Sequence, residues 1–469
     1  MNPGLAARAL ELALRRGGDF AEVFAEDRRS LNVRLEAGRV EAVIAGVDSG
    51  VSLRVVRGDT TLFGYCEGTD ERAVLGLAAR LGGGEGMPAS GEVRHPDGEK
   101  AGSAAPRGSV DVHSDPASVS GVTAQHATAL LHAVDETARS ESQEIMQVLA
   151  TVSAVEQKVS VVNSRGASAT DRRRRAFLAV TVVAKRGEVI QTGRETLAHA
   201  GDFEPPGVPA ASAVAGEAAA KAVIMLEAGP APMGRMPVIL ANGFGGVLFH
   251  EACGHGLEAD FILKGTSVWQ GKLGTRVAPA FVTAYDDGSG QGLWGTDAVD
   301  DEGSRTQRTT VIEDGVLASY LTDLLRGEKL GLSPTGNGRR ESFRHLPYPR
   351  MTNTYFAPGL GSAESLIADT PRAFYARSLS GGEVNPATGD FVFGVSEGYL
   401  IENGRVGAPV RGATLIGNGL DVLRGIDAVA DDLDVKAGFC GKEGQSVPVG
   451  TGQPTVRIRE MTIGGTDGA

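Results

Sequence analysis

Three cysteines in a chain of 469 residues are too few, and too odd in number, for a disulfide framework. Cys66, Cys253 and Cys440 are expected to be reduced thiols, available as metal ligands. An excess of positive charge is also missing. The formal net charge is −12 and the pI near 5.3, which argues against nucleic acid or an anionic membrane surface as a partner. The local exception is Arg172-Arg173-Arg174-Arg175, read here as a solvated strand edge or a subunit contact rather than a phosphate site. No stretch reads as long and apolar enough to span a bilayer. Arg8 and Glu11 interrupt any apolar core of a signal peptide, so a cytoplasmic protein is expected. Two familiar motifs are lacking as well. There is no Gly-x-Ser-x-Gly with suitable partners, and no Gly-Lys-Ser/Thr follows the glycines of residues 242–246. That glycine turn is expected to serve close packing instead of phosphate binding.

What the chain has in quantity is glycine, 66 residues, about twice the usual share. We read it as turns between many short strands. Residues 3–16 form an amphipathic helix pattern, residues 19–67 a run of strands, and residues 71–82 a helix again. A Gly/Pro/Ser-rich loop or linker follows near 83–118. The order then recurs: a helix at 117–139, strands across 144–199, and an alanine-rich helix at 208–227. This is a loose duplication without a residue-level repeat. Gly229-Pro230 and Pro232-Met-Gly234 mark a boundary between residues 1–228 and 229–469. The second half opens with a strand at 236–240, and further strands are expected at 281–285, 309–313, 391–395 and 455–459. The expected fold class is α+β. It comprises an N-terminal α/β domain of antiparallel strands with flanking helices, then a C-terminal β-rich domain carrying a metal helix.

The most informative segment is Phe249-His-Glu-Ala-Cys-Gly-His-Gly-Leu-Glu-Ala-Asp260. Two of only eight histidines, His250 and His255, sit five positions apart. Neutral imidazoles can hold a metal, and Glu251 beside them can take a proton from water that the metal polarises. On an ideal helix five steps place the two rings about 140° apart, too far for one ion. Either a π-type turn absorbs the extra residue or the helix ends between the ligands. Gly254 and Gly256, flanking His255, are consistent with a distorted turn. A catalytic zinc needs a third protein ligand and an open position. Candidates are Glu258, Asp260, Cys253 and a distant residue. Cys253 is awkwardly close in sequence. Cys440, between Gly438 and Gly441 with Lys442 to favour its thiolate, is better placed. For an oxyanion donor, residues 339–353 offer His345, Tyr348 and Arg350.

At these residues the chain resembles the TldD branch of the TldD/PmbA family of metallopeptidases. The resemblance extends from the metal motif to Val299-Asp-Asp-Glu-Gly303, Pro349-Arg-Met-Thr-Asn-Thr-Tyr355, Gly398-Tyr-Leu-Ile-Glu-Asn-Gly404 and Cys440-Gly-Lys-Glu-Gly-Gln-Ser-Val-Pro-Val-Gly450. It implies zinc held by His250, His255 and Cys440, with Glu251 as general base. It implies pairing with a related TldE (PmbA) subunit, or with a second copy, around unfolded peptide substrates. Cys253 is a departure, a second thiol beside the expected ion. Two other classes share these residues: a dedicated biosynthetic peptidase or amidohydrolase that matures a modified peptide, and a non-catalytic scaffold with structural zinc.

Overall fold

The computed structural model describes residues 1–83 and 118–465, so the expected linker near 83–118 lies, but for its ends, outside the described residues. The first half contains helix α1 (Pro3–Leu14), strands β1 (Phe20–Glu36), β2 (Arg39–Arg57) and β3 (Thr60–Glu67), and helix α2 (Glu71–Leu81). The same order follows in α3 (Ala124–Glu141), β4 (Ile145–Asn163), β5 (Ser168–Arg186), β6 (Val189–Ala200) and α4 (Val208–Ile224). All six strands share one antiparallel sheet, ordered β3-β2-β1-β4-β5-β6. β1 and β4 meet antiparallel at its centre, from Glu22 opposite Asn163 to Glu36 opposite Leu149. The two helix–strands–helix units thus face each other across a local twofold.

Local chemistry sets these elements. Asp70 caps α2 by accepting from the Ala73 amide, and Thr123 caps α3 by accepting from His126. α3 starts later than its pattern suggests, because Val119 and Val122 pair in a tight bridge before the cap. Along β1, Leu31, Val33 and Leu35 are buried at period two under the helices. By length and composition Val208–Glu227 is apolar enough to cross a membrane, contrary to the sequence expectation. In the fold its Ala211, Ala215, Ala218, Ala219 and Ala222 are buried in the core that α3, α4 and β4–β6 share. Gly193 on β6 has no room for a Cβ against the Ala218 carbonyl, so glycine permits this close approach.

The chain enters the β-rich half at β7 (Gly229–Pro230) and β8 (Gly234–Leu240). β8 pairs in parallel with Arg372–Val384 and antiparallel with Val456–Gly464. Arg372–Val384 also pairs with Asp390–Glu402, which reaches Val456–Gly464 through Thr414–Asn418, so five strands close a ring. A second sheet orders Val316–Leu317, Arg308–Glu313, Ala284–Asp287, Asn353–Phe356, Gln445–Gln453 and Asp434–Lys442. The strand expected at 281–285 begins at Ala284, and Phe281 is exposed before it.

The helix-free face of the first sheet meets the loops of the second half through charges. Arg54 lies 2.8 Å from Glu22 and 2.6 Å from Glu302, and Arg340 also binds Glu22. The arginine run is not an edge, since β5 lies between β4 and β6. Its side chains alternate. Arg173 and Arg175 are buried on Asp301 (2.7 Å) and Asp297 (2.6 Å), while Arg172 and Arg174 point to the other face. Removing one member of a buried pair strands the other charge. Arg173→Ala should therefore cost about 3–5 kcal/mol, and Arg172→Ala about 0.5 kcal/mol or less. Denaturant midpoints of the two variants test this, and equal effects would contradict the alternation.

Candidate metal centre

β8 delivers the chain into the glycine turn at 243–246, where a Cβ on Gly246 would fall within about 2.6 Å of the Gly452 backbone. The turn thus lies flat on Gln445–Gln453, the hairpin partner of the strand that carries Cys440. A short α-turn, Val247–Phe249, then passes into one π-turn over His250–Gly254 and a 3₁₀ turn at His255–Leu257. The His255 amide donates to the His250 carbonyl, an i→i+5 bond. The extra residue is absorbed in this way, and the two imidazoles return to one side, ring centroids 5.2 Å apart. Gly254 keeps helical torsions, φ −56°. Here glycine supplies space instead of torsional freedom, because a Cβ on Gly254 would collide with Met351 Sδ and one on Gly256 with the Trp269 ring.

His250, His255 and Cys440 are buried, and one ligand atom from each lies within 4.8 Å of the others. Cys440 Sγ is 3.3 Å from His255 Nε2. Glu251, partly exposed, holds Oε2 3.6 Å from the same nitrogen. Glu258 is not in the cluster. Its carboxylate lies 3.0 Å from His255 Nδ1 and 2.8 Å from Lys442 Nζ, and Lys442 also donates to Asp260 at 2.7 Å. Two of the candidate third ligands thus orient the site from behind, the usual second layer of a histidine metal site. Sequence reasoning missed this role for Glu258, although its position three residues after His255 was a signal. Lys442 is bound to these carboxylates rather than left to attend the thiol. Cys253 sits in the apolar core with its thiol toward the Gly419 carbonyl, and burial pushes its pKa up. It is not the second thiol beside the ion that the sequence suggested.

The other candidates spread out. The Arg350 guanidinium is fully buried and donates to the Cys440 carbonyl, bracing the ligand strand. Tyr348 stacks under Arg326, 4.9 Å from its guanidinium carbon, and its hydroxyl has no hydrogen bond among the described residues. His345 Nδ1 pairs with Ser342 Oγ at 2.9 Å.

Electrostatics prepare the triad for a cation. Burial alone would push the Cys440 thiol up, but His250 and His255 outweigh it and hold the pKa well below the usual thiol value. Burial would lower His255, yet Glu258 and the thiolate hold it well above its usual value. Burial also opposes ionisation of Glu258, and Lys442 and His255 overcome this, bringing it to about 2. His250 Nδ1 is buried with no hydrogen-bond partner among the described residues. Two imidazoles, one thiolate and an orphaned ring nitrogen fit a divalent metal ion.

Glu258→Gln should weaken metal binding by about 10–100-fold, the usual cost of losing such an orienting carboxylate, and competition with a chelator measures it. Because the folded pKa of Glu258 is depressed from 4.5 to about 2, its ionic contribution is present above pH 4.5 and lost as pH falls toward 2. The stability gap between wild type and this variant should narrow as pH falls across that window, and narrow again as pH rises through the elevated pKa of His255 that Glu258 helps to sustain. Unchanged metal affinity would contradict the orienting role.

Comparison with known proteins agrees along the whole chain. Residues 21–81, 118–226 and 233–465 match domain 1, the central domain and the C-terminal domain of the PmbA/TldA metallopeptidases. A metalloprotease TldD homolog of Haemophilus influenzae is 38% identical over 464 residues, covering 96% of this chain and 93% of that protein. A zinc metalloprotease TldD homolog of Saccharolobus solfataricus is 35% identical over 50% of this chain and 52% of its own. The fold is shared with the crystal structure of TldE from Thermococcus kodakarensis, with TM-score 0.75, 18% identity and 98% and 99% of the two chains covered. By its matched domains and its identity to these relatives, the chain belongs to the PmbA/TldD family of metallopeptidases, on the TldD side.

Proposed function

We propose that the chain is a zinc-dependent peptidase that hydrolyses unfolded or small peptides. The observation that carries the reading is the convergence of His250, His255 and Cys440, with Glu251 beside them. Zinc, when bound to these three residues, would supply Lewis-acid polarisation of water and of a peptide carbonyl. Everything else falls to the chain's own groups. Glu251, whose Oε2 lies 3.6 Å from His255 Nε2, would accept a proton from the attacking water and return it to the leaving amine. Glu258, ionised and buried, fixes the His255 ring so that Nε2 faces Cys440 Sγ, where it would be free to hold the metal. Arg350 holds the Cys440 backbone and with it the thiolate. Among the three donor candidates, Tyr348 has an uncommitted hydroxyl, and burial raises its pKa, so it stays protonated and able to donate to a developing oxyanion.

Three ligands instead of four favour catalysis over a structural zinc, since a closed tetrahedral site leaves no corner for substrate. Peptide would add as a strand, because main-chain hydrogen bonds give affinity with little sequence preference. A TldE-type subunit is the proposed partner, supported by the shared family and by the TldE-like fold, with a second copy of this chain as the alternative.

Glu251→Gln should retain stoichiometric metal and lose turnover by about 10²–10⁴-fold, the range for a general acid–base group. Metal content and peptide cleavage, measured with and without a co-expressed TldE-type subunit, test this. Metal-loaded variant that cleaves at the wild-type rate would remove Glu251 from the mechanism. Tyr348→Phe should lower kcat by roughly 10²-fold with little change in KM, as for loss of one oxyanion donor. An unchanged kcat would exclude Tyr348 and return the role to its neighbours.

A further inference from the structure

Beside the Cys440 strand lies a cavity of about 370 Å³ that no step above uses. It opens between the helix-free face of the first sheet and the loops of the second half. Phe439, adjacent in sequence to Cys440 and on the opposite face of its strand, forms one wall and is 57% exposed. Phe177 and Trp294 complete an aromatic cluster with it, ring centroids 5.3–5.8 Å apart. A large hydrophobic side chain left exposed next to a ligand strand, and facing two further aromatic rings, is what an apolar ligand group would cover.

The polar part of the lining is one-sided. Five arginines border the cavity against three carboxylates, Asp297, Asp301 and Glu341. Arg173 and Arg175 are neutralised by Asp301 and Asp297, and Arg340 by Glu22. Two cations are left without a close ion pair, and one lining carboxylate, Glu341, is likewise without one among the described residues. Arg28 is half-buried and has no ion pair among the described residues. Arg339 is buried, donates to the Met351 carbonyl at 2.7 Å, and has Asp297, at 3.8 Å, as its nearest ion pair, with Asp301 farther off. Burial pushes its pKa down to about 10 despite Asp297 and Asp301, with Arg175 and Arg173 adding to the fall. The arginines and the aromatic rings together suit an anion with an apolar body.

We propose that this cavity is a substrate subsite that receives the free C-terminal carboxylate of a peptide together with an apolar terminal side chain. The side chain packs against Phe439, Trp294 and Phe177, and the carboxylate lies toward Arg28 and Arg339. The volume fits one or two residues. This assignment rests on the peptidase reading, since it supplies the substrate class for that site: peptides with a free C-terminus and an apolar last residue.

Binding and turnover separate the two claims. Calorimetric titration of the metal-loaded protein with N-acetyl-leucine, N-acetyl-leucinamide and N-acetyl-glutamyl amide needs no cleavage. The free acid should bind at least about tenfold more tightly than the leucinamide, as loss of a charge-assisted contact requires. Phe439→Ala and Arg28→Gln, both at solvent-accessible positions, should each weaken it by a similar factor. Equal binding of acid and amide, or indifference to both variants, overturns the subsite. Tighter binding of the glutamyl amide than of N-acetyl-leucine would assign the carboxylate to a side chain and overturn the terminal one. Cleavage of matched free-acid and amidated peptides then reads the peptidase claim. Selective binding of the acid with no cleavage of any peptide sinks the peptidase reading and keeps the pocket, whereas equal cleavage with no selective binding does the reverse.

Discussion

One backbone hydrogen bond of unusual span, from the His255 amide to the His250 carbonyl, is the constraint on which the centre depends. With ordinary α-helical pairing the two rings would diverge. The i→i+5 bond adds one residue to the turn and brings them to one side. A distorted turn of this kind is held by its surroundings. Met351 and Trp269 pack where side chains on Gly254 and Gly256 would be, and the glycine turn before the motif is pressed against Gly452. Glu258 then fixes His255 from behind, and Lys442 ties Glu258 to the strand of Cys440. The two ends of the second half are joined at the candidate metal centre by this ion pair.

The first half supplies a charged wall. Its two helix–strands–helix units bury their apolar faces under their own helices. The opposite face is free to present Glu22, Glu26, Arg54, Arg173 and Arg175 to the loops at 294–302 and 339–344. Those loops lead into the Arg350 and Met351 segment that touches the centre. A buried ionic interface costs desolvation and repays it only when every partner is in place. Such an interface favours a single arrangement of the two halves, and that arrangement fixes the cavity beside Phe439.

Much of this was legible where the determinants are local. The helices at 3–16 and 71–82 follow from periodicity, and the structure places them within two residues, at Pro3–Leu14 and Glu71–Leu81. The π-turn was one of two outcomes that the five-residue spacing allowed. What sequence could not show was pairing across distance. Cys440 lies 185 residues from His255, and local chemistry alone left it one candidate among several. Glu258 was weighed as a ligand because a carboxylate near two histidines reads the same whether it binds metal or imidazole. The arginine run looked like a solvated edge because like charges in series suggest solvent. Only strand alternation against a partner wall shows that two of the four are buried.

The account stands on two imidazole nitrogens and one sulfur sharing one ion. X-ray absorption at the zinc edge on the metal-loaded protein tests this directly. The prediction is one sulfur at about 2.3 Å and two nitrogens at about 2.0–2.1 Å, with a light-atom scatterer filling the remaining position; in Cys440→Ser the sulfur shell should vanish. A zinc shell without sulfur in the wild-type protein, or a second sulfur closing the site, would contradict it.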